Sequence, residues 1–212
     1  LSDIEIINAE LILADLQTVT KRLVNITREV KRGEKSAVLE NAVLEKVQKN
    51  LEEGSLLSRL NFDSREKEIL ASMHSLTMKP ILYALNTSEA SAENKLEIKD
   101  KIPGPFVVID PVFEKGFDDL IKKSYDTLNL ITYFTTGEDE TRAWTIVRGS
   151  TAPVAGLAIH TDFKDKFIRA EVISCGDLFS AGSYAVAREK GLVRTEGREY
   201  VVCDGDVIEF KI

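Results

Sequence analysis

Residues 79–89 read Lys-Pro-Ile-Leu-Tyr-Ala-Leu-Asn-Thr-Ser-Glu, which joins a short apolar run to a polar pattern. The run from Pro80 to Leu85 is nearly continuous, as is typical of a strand buried on both faces of an α/β sheet. Asn86-x-x-Glu89 follows at the carboxyl end of this strand, where open α/β sheets bind their ligands. The stretch therefore predicts a buried strand that ends in a ligand-binding loop.

The polar pattern has a specific and a general interpretation. Guanine-specific P-loop proteins carry Asn-Lys-x-Asp here, and the Asp accepts hydrogen bonds from the guanine N1–H and 2-amino group. Adenine lacks that amino group and its N1 is an acceptor, so a Glu without a preceding Lys fits adenine no worse. The general interpretation is a solvated turn, which so short a pattern does not exclude. The candidate base-binding residues are Asn86, Thr87 and Glu89.

Upstream, the periodicity predicts a helical hairpin. Gly33 separates two helices, and the second runs to about Gly54. The loop between them is too short for anything but an antiparallel pair. A third helix is predicted from the capping pattern Asp63-Ser-Arg-Glu66. The first helix has a coiled-coil seam at spacings of 4-3-4-3-4, formed by Ile12, Leu16, Val19, Leu23, Ile26 and Val30. The second continues it with Leu44, Val47 and Leu51, and the third places Ile69, Leu70, Met73 and Leu76 on one face.

Downstream, the pattern predicts the close of a parallel sheet. Phe106–Ile109 is a second buried strand, and residues 115–129 form a helix. Two strands do not make a stable sheet alone, so the sheet is predicted to be incomplete. The helix is expected to turn its apolar residues inward, namely Phe117, Leu120, Ile121, Tyr125 and Leu128.

From Ile131 onwards, short strands alternate with turns. Strands are predicted at 142–147, 167–173 and 207–212, and helices at 153–160 and 177–190. Glu196-Gly197 and Asp204-Gly205 are expected to turn two hairpins. This order suggests a small β-grasp domain.

The charge distribution limits the classes of partner that the sequence predicts. The net charge of −7 argues against a surface that coats nucleic acid generally, and no DNA partner is expected. No apolar run approaches the length of about 18 residues that a membrane span needs, so no membrane partner is expected. Residues 21–35 nevertheless carry a surplus of four positive charges. They form either a solvated helix end or a contact for RNA. The cations are Lys21, Arg22, Arg28, Lys31, Arg32 and Lys35.

Several stretches resemble the YchF/Obg-like ATPase family. They are residues 3–15, 79–83 with Asn86-x-x-Glu89, 132–135, 142–145, 152–153, 159–163, 167–172 and 204–208. The resemblance implies a mixed α+β fold class: an antiparallel helical coiled-coil hairpin (1–63), the C-terminal portion of a P-loop NTPase sheet (64–129) and a ubiquitin-like TGS β-grasp domain (130–212). It also implies a protein that uses ATP in preference to GTP, with Mg²⁺, and associates with the ribosome or ribosomal RNA. The isolated cysteines, Cys175 and Cys203, separately indicate a reduced, cytoplasmic compartment.

The chain departs from that family in three ways. It contains no Gly-x-x-x-x-Gly-Lys-Ser/Thr, so the phosphate cradle is missing and the Mg²⁺ ligands would lie upstream. The later base-contacting loop, made of small residues in the family, reads Ile109-Asp110-Pro111. We therefore expect the C-terminal two-thirds of such an ATPase, without catalytic residues or hydrolysis of its own. The alternative is a stand-alone RNA- or protein-binding module with no nucleotide chemistry.

Overall fold

The computed structural model describes residues 2–86, 102–137 and 140–212 of a mixed α/β protein. The chain forms two compact units, Leu1–Gly116 and Phe117–Ile212. The three predicted domains stay predictions. The first unit contains α1 (Ser2–Lys31), α2 (Lys35–Glu52), a 3₁₀ turn (Leu57–Arg59), α3 (Ser64–Ala71), β1 (Tyr83–Asn86) and β2 (Phe106–Ile109).

Helices α1 and α2 pack along the apolar seam read from the sequence. Val19 and Ile26 of α1 and Leu44 and Val47 of α2 are almost completely buried in one core. Leu16, Leu23 and Val30 are partly buried against it. Burial of a Leu or Val side chain contributes about 1.5–3 kcal/mol to the free energy of folding. Burial of this seam is therefore the main interaction that holds the two helices together.

Helix α3 begins with the expected capping box, in which Asp63 and Glu66 each accept a backbone hydrogen bond from the other residue. It is shorter than predicted and ends at Ala71. Leu76 therefore lies beyond the helix and is exposed, which corrects its place on the predicted apolar face.

Strands β1 and β2 pair in parallel, with Tyr83 opposite Phe106 and Asn86 opposite Ile109. The prediction that β1 is buried on both faces is wrong: Ala84 and Asn86 are exposed, while Tyr83 and Leu85 are half-buried. In the part of the chain that the structure describes, this sheet has two strands. Val107, which is paired with the exposed Ala84, is buried.

The second unit is built on a five-stranded sheet of order β4-β3-β7-β5-β6. Strands β3 and β7 run parallel in the middle, and the other neighbours are antiparallel. Tyr133 and Phe210 meet edge-to-face in its core. The elements are α4 (Phe117–Thr127), β3 (Leu130–Thr136), β4 (Thr141–Val147), α5 (Ala152–Gly156), α6 (Thr161–Asp165), β5 (Arg169–Ser174), α7 (Cys175–Ala181), α8 (Tyr184–Glu189), β6 (Arg194–Glu196) and β7 (Asp206–Lys211).

Several predictions for this unit need correction. Helix α4 buries none of its residues, and Ile121 on the supposedly inward face is 58% exposed. The helix predicted over 177–190 is two helices, because the chain turns at Gly182 and Ser183 caps a new one. The two predicted hairpins are absent from the described residues, since β6 pairs with β5 and β7 pairs with β3 and β5.

Candidate functional site

The candidate base-binding edge lies where β1 and β2 end together. Asn86 is the last residue of β1 and stands opposite Ile109, the last residue of β2. Because the strands are parallel, both carboxyl ends open onto the same edge, where α/β sheets bind ligands. The Asn86 side chain is exposed there. Thr87 and Glu89 lie outside the described residues, so the structure positions one of the three predicted residues.

A tight turn follows β2 at this edge. The buried Asp110 carboxylate accepts hydrogen bonds from the backbone N–H groups of Val112 and Phe113, at 3.0 and 3.2 Å. Asp110 and Lys115 also exchange both of their backbone hydrogen bonds, at 2.9 and 3.0 Å. The turn presents Val112 and Phe113 to solvent, 80% and 53% exposed. The small residues expected from the family are thus replaced by a well-defined turn with an apolar tip.

The basic residues of the hairpin divide into two groups. Arg28, Lys31, Arg32 and Lys35 surround the Gly33 turn between α1 and α2, and their side chains are exposed. Lys21 and Arg22 lie about two helical turns before Arg28. The structure therefore gathers four of the six predicted cations at the tip.

Arg22 is already engaged. Its guanidinium donates two hydrogen bonds to the Glu40 carboxylate, from Nε to Oε1 at 2.6 Å and from Nη2 to Oε2 at 2.9 Å. This contact raises the pKa of Arg22 above its ordinary value. It ties α1 to α2 and leaves Arg22 the least available of the six for an external anion.

The tip cations also have an ordinary structural role. Arg28 and Lys31 lie in the last turn of α1, where positive charge interacts favourably with the helix dipole. Each such charge contributes about 0.3–1 kcal/mol. Contact with RNA is therefore a prediction that the geometry allows and does not require.

No metal centre emerges from the described residues, where three or more His, Cys, Asp or Glu side chains never come together as an ion would require. We assign no Mg²⁺ ligand to this part of the chain. None of the helices in the described ranges is long and apolar enough to cross a membrane.

Comparison with known proteins covers the whole chain. "Ribosome-binding ATPase YchF" of Bacillus subtilis (strain 168) is 39% identical over 242 residues, a match that takes in 100% of this chain and 66% of the relative. The protein of the same name from Escherichia coli O157:H7 is 37% identical, over 98% of this chain and 65% of the relative. A solved structure, that of the Schizosaccharomyces pombe YchF GTPase, superposes with a TM-score of 0.79 at 31% identity, over 99% of this chain and 65% of that one.

This chain belongs to the YchF/Obg-like family. The YchF-GTPase_C family model, described as "Protein of unknown function (DUF933)", matches residues 130–212. The hairpin of α1 and α2 and the candidate base-binding edge lie outside the residues matched by that model. Both lie inside the match to the B. subtilis YchF protein. The chain spans about two-thirds of the length of these YchF relatives.

One residue of interest in this YchF-family chain is missed by sequence reasoning. Asp15 of α1 is 3% exposed and hydrogen-bonded to residues 76–77. A signal for it exists: Asp15 lies three residues after Ile12 and four before Val19, which puts a carboxylate on the buried stripe of the helix. A buried charge costs free energy unless it is paired, so such a position calls for a partner elsewhere in the chain.

Proposed function

We propose that the chain is the C-terminal part of a ribosome-associated, ATP-preferring P-loop NTPase of the cytoplasm. Its base-recognition loop lies at Asn86, Thr87 and Glu89. The observation that carries the proposal is the register of Asn86 with Ile109, which opens both strand ends onto one edge. The names of the bacterial relatives, which describe ribosome-binding ATPases, support the activity and the partner.

We assign the parts of the chain as follows. Residues 1–63 are a coiled-coil hairpin whose basic tip contacts ribosomal RNA, and residues 64–129 close the P-loop domain. Residues 130–212 are a TGS domain of the β-grasp type. The parallel central pair β3–β7, flanked by antiparallel strands, supports the last assignment.

Base preference offers the direct test, because the S. pombe relative is named a GTPase and the bacterial relatives are named ATPases. In the full-length protein, Thr87→Lys combined with Glu89→Asp recreates the Asn-Lys-x-Asp pattern of guanine-specific proteins. We expect the affinity ratio of ATP to GTP to shift towards GTP by about tenfold or more, because a site built to hydrogen-bond a base rejects the analogue that leaves its groups unpaired. Calorimetric titration with both nucleotides measures the ratio. An unchanged ratio would show that these residues do not read the base.

The chain by itself is expected to hydrolyse nothing. Phosphoryl transfer depends on positioning and on electrostatic stabilisation by the phosphate cradle and Mg²⁺. The sequence contains no Gly-x-x-x-x-Gly-Lys-Ser/Thr. Phosphate release by the purified 212-residue chain should stay at background with ATP or GTP. Turnover above background would place an active site in these residues and contradict the assignment.

The alternative function is a binding module without nucleotide chemistry. The exposed cations around Gly33 favour a binding module, since they can contact RNA without a bound nucleotide. The gene upstream of Leu1 separates the two: a phosphate loop there supports the NTPase, and its absence supports the module.

A further inference from the structure

Asp15 forms a buried clamp between the first helix and a segment that lies far away in the sequence. Its Oδ1 accepts a hydrogen bond from the Leu76 N–H at 2.8 Å. Its Oδ2 accepts from the Thr77 N–H at 2.8 Å and from the Thr77 hydroxyl at 2.6 Å. Thr77 is completely buried. One carboxylate thus holds two successive backbone N–H groups and a side chain.

The clamp fixes the backbone of residues 76–77 more closely than an apolar contact would. Burying a carboxylate costs several kcal/mol, and charge-assisted hydrogen bonds are needed to offset that cost. An apolar pair would fill the same space but would allow the segment to slide. Both N–H groups must instead point at the two carboxylate oxygens, which sets the position and direction of the chain at residues 76–77. From the other side, the Thr77 carbonyl accepts a hydrogen bond from the Ser58 N–H at 2.8 Å.

The clamped segment leads directly into the strand that ends at Asn86. Pro80, with its restricted backbone, lies between Thr77 and β1. A second contact follows at the first residue of β1, where the Tyr83 hydroxyl lies 3.4 Å from the side-chain amide of Asn8. Asn8 and Asp15 are seven residues apart, so both project from the same face of α1. Helix α1 therefore contacts the strand and its approach at two points.

From these contacts we propose that Asp15 is a positioning residue for base recognition. Through Thr77 it fixes β1 on α1, and it thereby sets where Asn86, the last residue of β1, meets the base. This inference rests on the proposed nucleotide function. It adds that α1 determines the position of Asn86, so the basic tip and Asn86 are connected through one helix.

The test uses the full-length protein and two probes, ATP and inorganic tripolyphosphate, which has the phosphates but no base. Asp15→Asn leaves a single side-chain oxygen to accept hydrogen bonds and turns an amide donor towards an N–H. We expect it to weaken ATP binding about fivefold or more and to leave tripolyphosphate affinity unchanged. Thr77→Val removes the hydroxyl alone and should weaken ATP binding by a smaller factor. Thr77→Ser keeps the hydroxyl and should restore the wild-type value.

Lys46→Gln is the matched control. It breaks the 2.8 Å ion pair between Lys46 of α2 and Glu66 of α3, a contact in the same unit that involves neither residues 76–77 nor β1. Both probes should bind this variant as they bind wild type. Thermal unfolding of every variant, measured alongside, reports the purely structural effect.

The outcomes separate the two proposals. If Asp15→Asn and Thr77→Val lower the unfolding temperature but bind ATP and tripolyphosphate like wild type, or lose affinity for both equally, Asp15 has a structural role only. If Asp15→Asn does not fold, the Thr77→Val and Thr77→Ser pair decides by the same criterion. If Asn86→Ala leaves ATP affinity unchanged, the proposed base site itself has failed, and the role of Asp15 in base recognition fails with it.

Discussion

Reversal of the three cations that flank the Gly33 turn, in the triple variant Lys31→Glu, Arg32→Glu and Lys35→Glu, is expected to remove most of the affinity of the full-length protein for ribosomes. If these side chains contact phosphates, each contributes about one unit to the slope of log affinity against log salt. We expect the slope to flatten by as much as about 3 units and the affinity at low salt to fall by about two orders of magnitude. Co-sedimentation with ribosomes over a salt series measures both.

The fold should tolerate this change. All three side chains are exposed and none belongs to the buried seam of α1 and α2. Lys31→Glu places a negative charge at the C-terminus of α1, which is unfavourable. Lys35→Glu places one at the N-terminus of α2, which is favourable, so the two dipole effects largely cancel.

A control variant with the same change of charge isolates the tip. Lys122→Glu, Lys123→Glu and Lys190→Glu reverse three exposed cations in the second unit. This control should bind ribosomes with nearly the wild-type salt slope. Should the tip variant co-sediment as well as wild type at matched salt, the tip is a solvated helix end, and another surface of the protein makes the contact.

The sequence predicts local structure well where periodicity and capping agree. The seam from Ile12 to Val30 and the capping box at Asp63 and Glu66 appear in the structure as expected. Periodicity shows which face of a helix is apolar but not what covers that face. Helix α4 illustrates the limit, because the face that carries Ile121 is apolar and yet exposed in the described structure.

Turn-forming dipeptides also predict local structure without predicting the partner strand. Asp204-Gly205 does form a turn, but Asp204 accepts a hydrogen bond from the Thr132 N–H, and Gly205 donates one to the Thr132 carbonyl. The turn therefore hydrogen-bonds to Thr132 within β3, 72 positions before Asp204, and joins no hairpin in the described residues. The dipeptide identifies a turn, while the choice of partner strand depends on the packing of the whole sheet.

The candidate site shows the same division between local and distant information. Asn86 could be predicted because the strand and the pattern that follows it are contiguous in the sequence. The hydrogen bonds that Thr77 donates to Asp15 could not be predicted, because the two residues are 62 positions apart and no local pattern identifies the partner. Only the charge on the buried stripe of α1 indicates that a partner exists.

Replacement of Gly116 by Ala is expected to cause a large loss of stability. Gly116 has φ +84, and a Cβ there would lie 2.2 Å from the Val108 carbonyl oxygen in β2. The backbone conformation alone costs a non-glycine residue about 1–2 kcal/mol. Relief of the overlap requires the backbone to move, which adds about 1–3 kcal/mol. We expect a total loss of about 2–5 kcal/mol in the free energy of unfolding, measured by urea titration.

Gly54→Ala is the matched comparison, because it separates the backbone effect from the steric one. Gly54 has φ +77 in the same unit, and a Cβ there would meet nothing within 4 Å. Its substitution should cost only the backbone term of about 1–2 kcal/mol. Gly116 directly follows the turn held by Asp110 and Lys115, and a Cβ there would also lie 3.2 Å from the Cα of Ile109, the partner of Asn86. We therefore expect Gly116→Ala to weaken ATP binding by the full-length protein and Gly54→Ala to leave it unchanged. Equal losses of stability in the two variants would show that the Val108 contact relaxes freely. Equal ATP affinities would show that this turn does not influence the candidate base-binding edge.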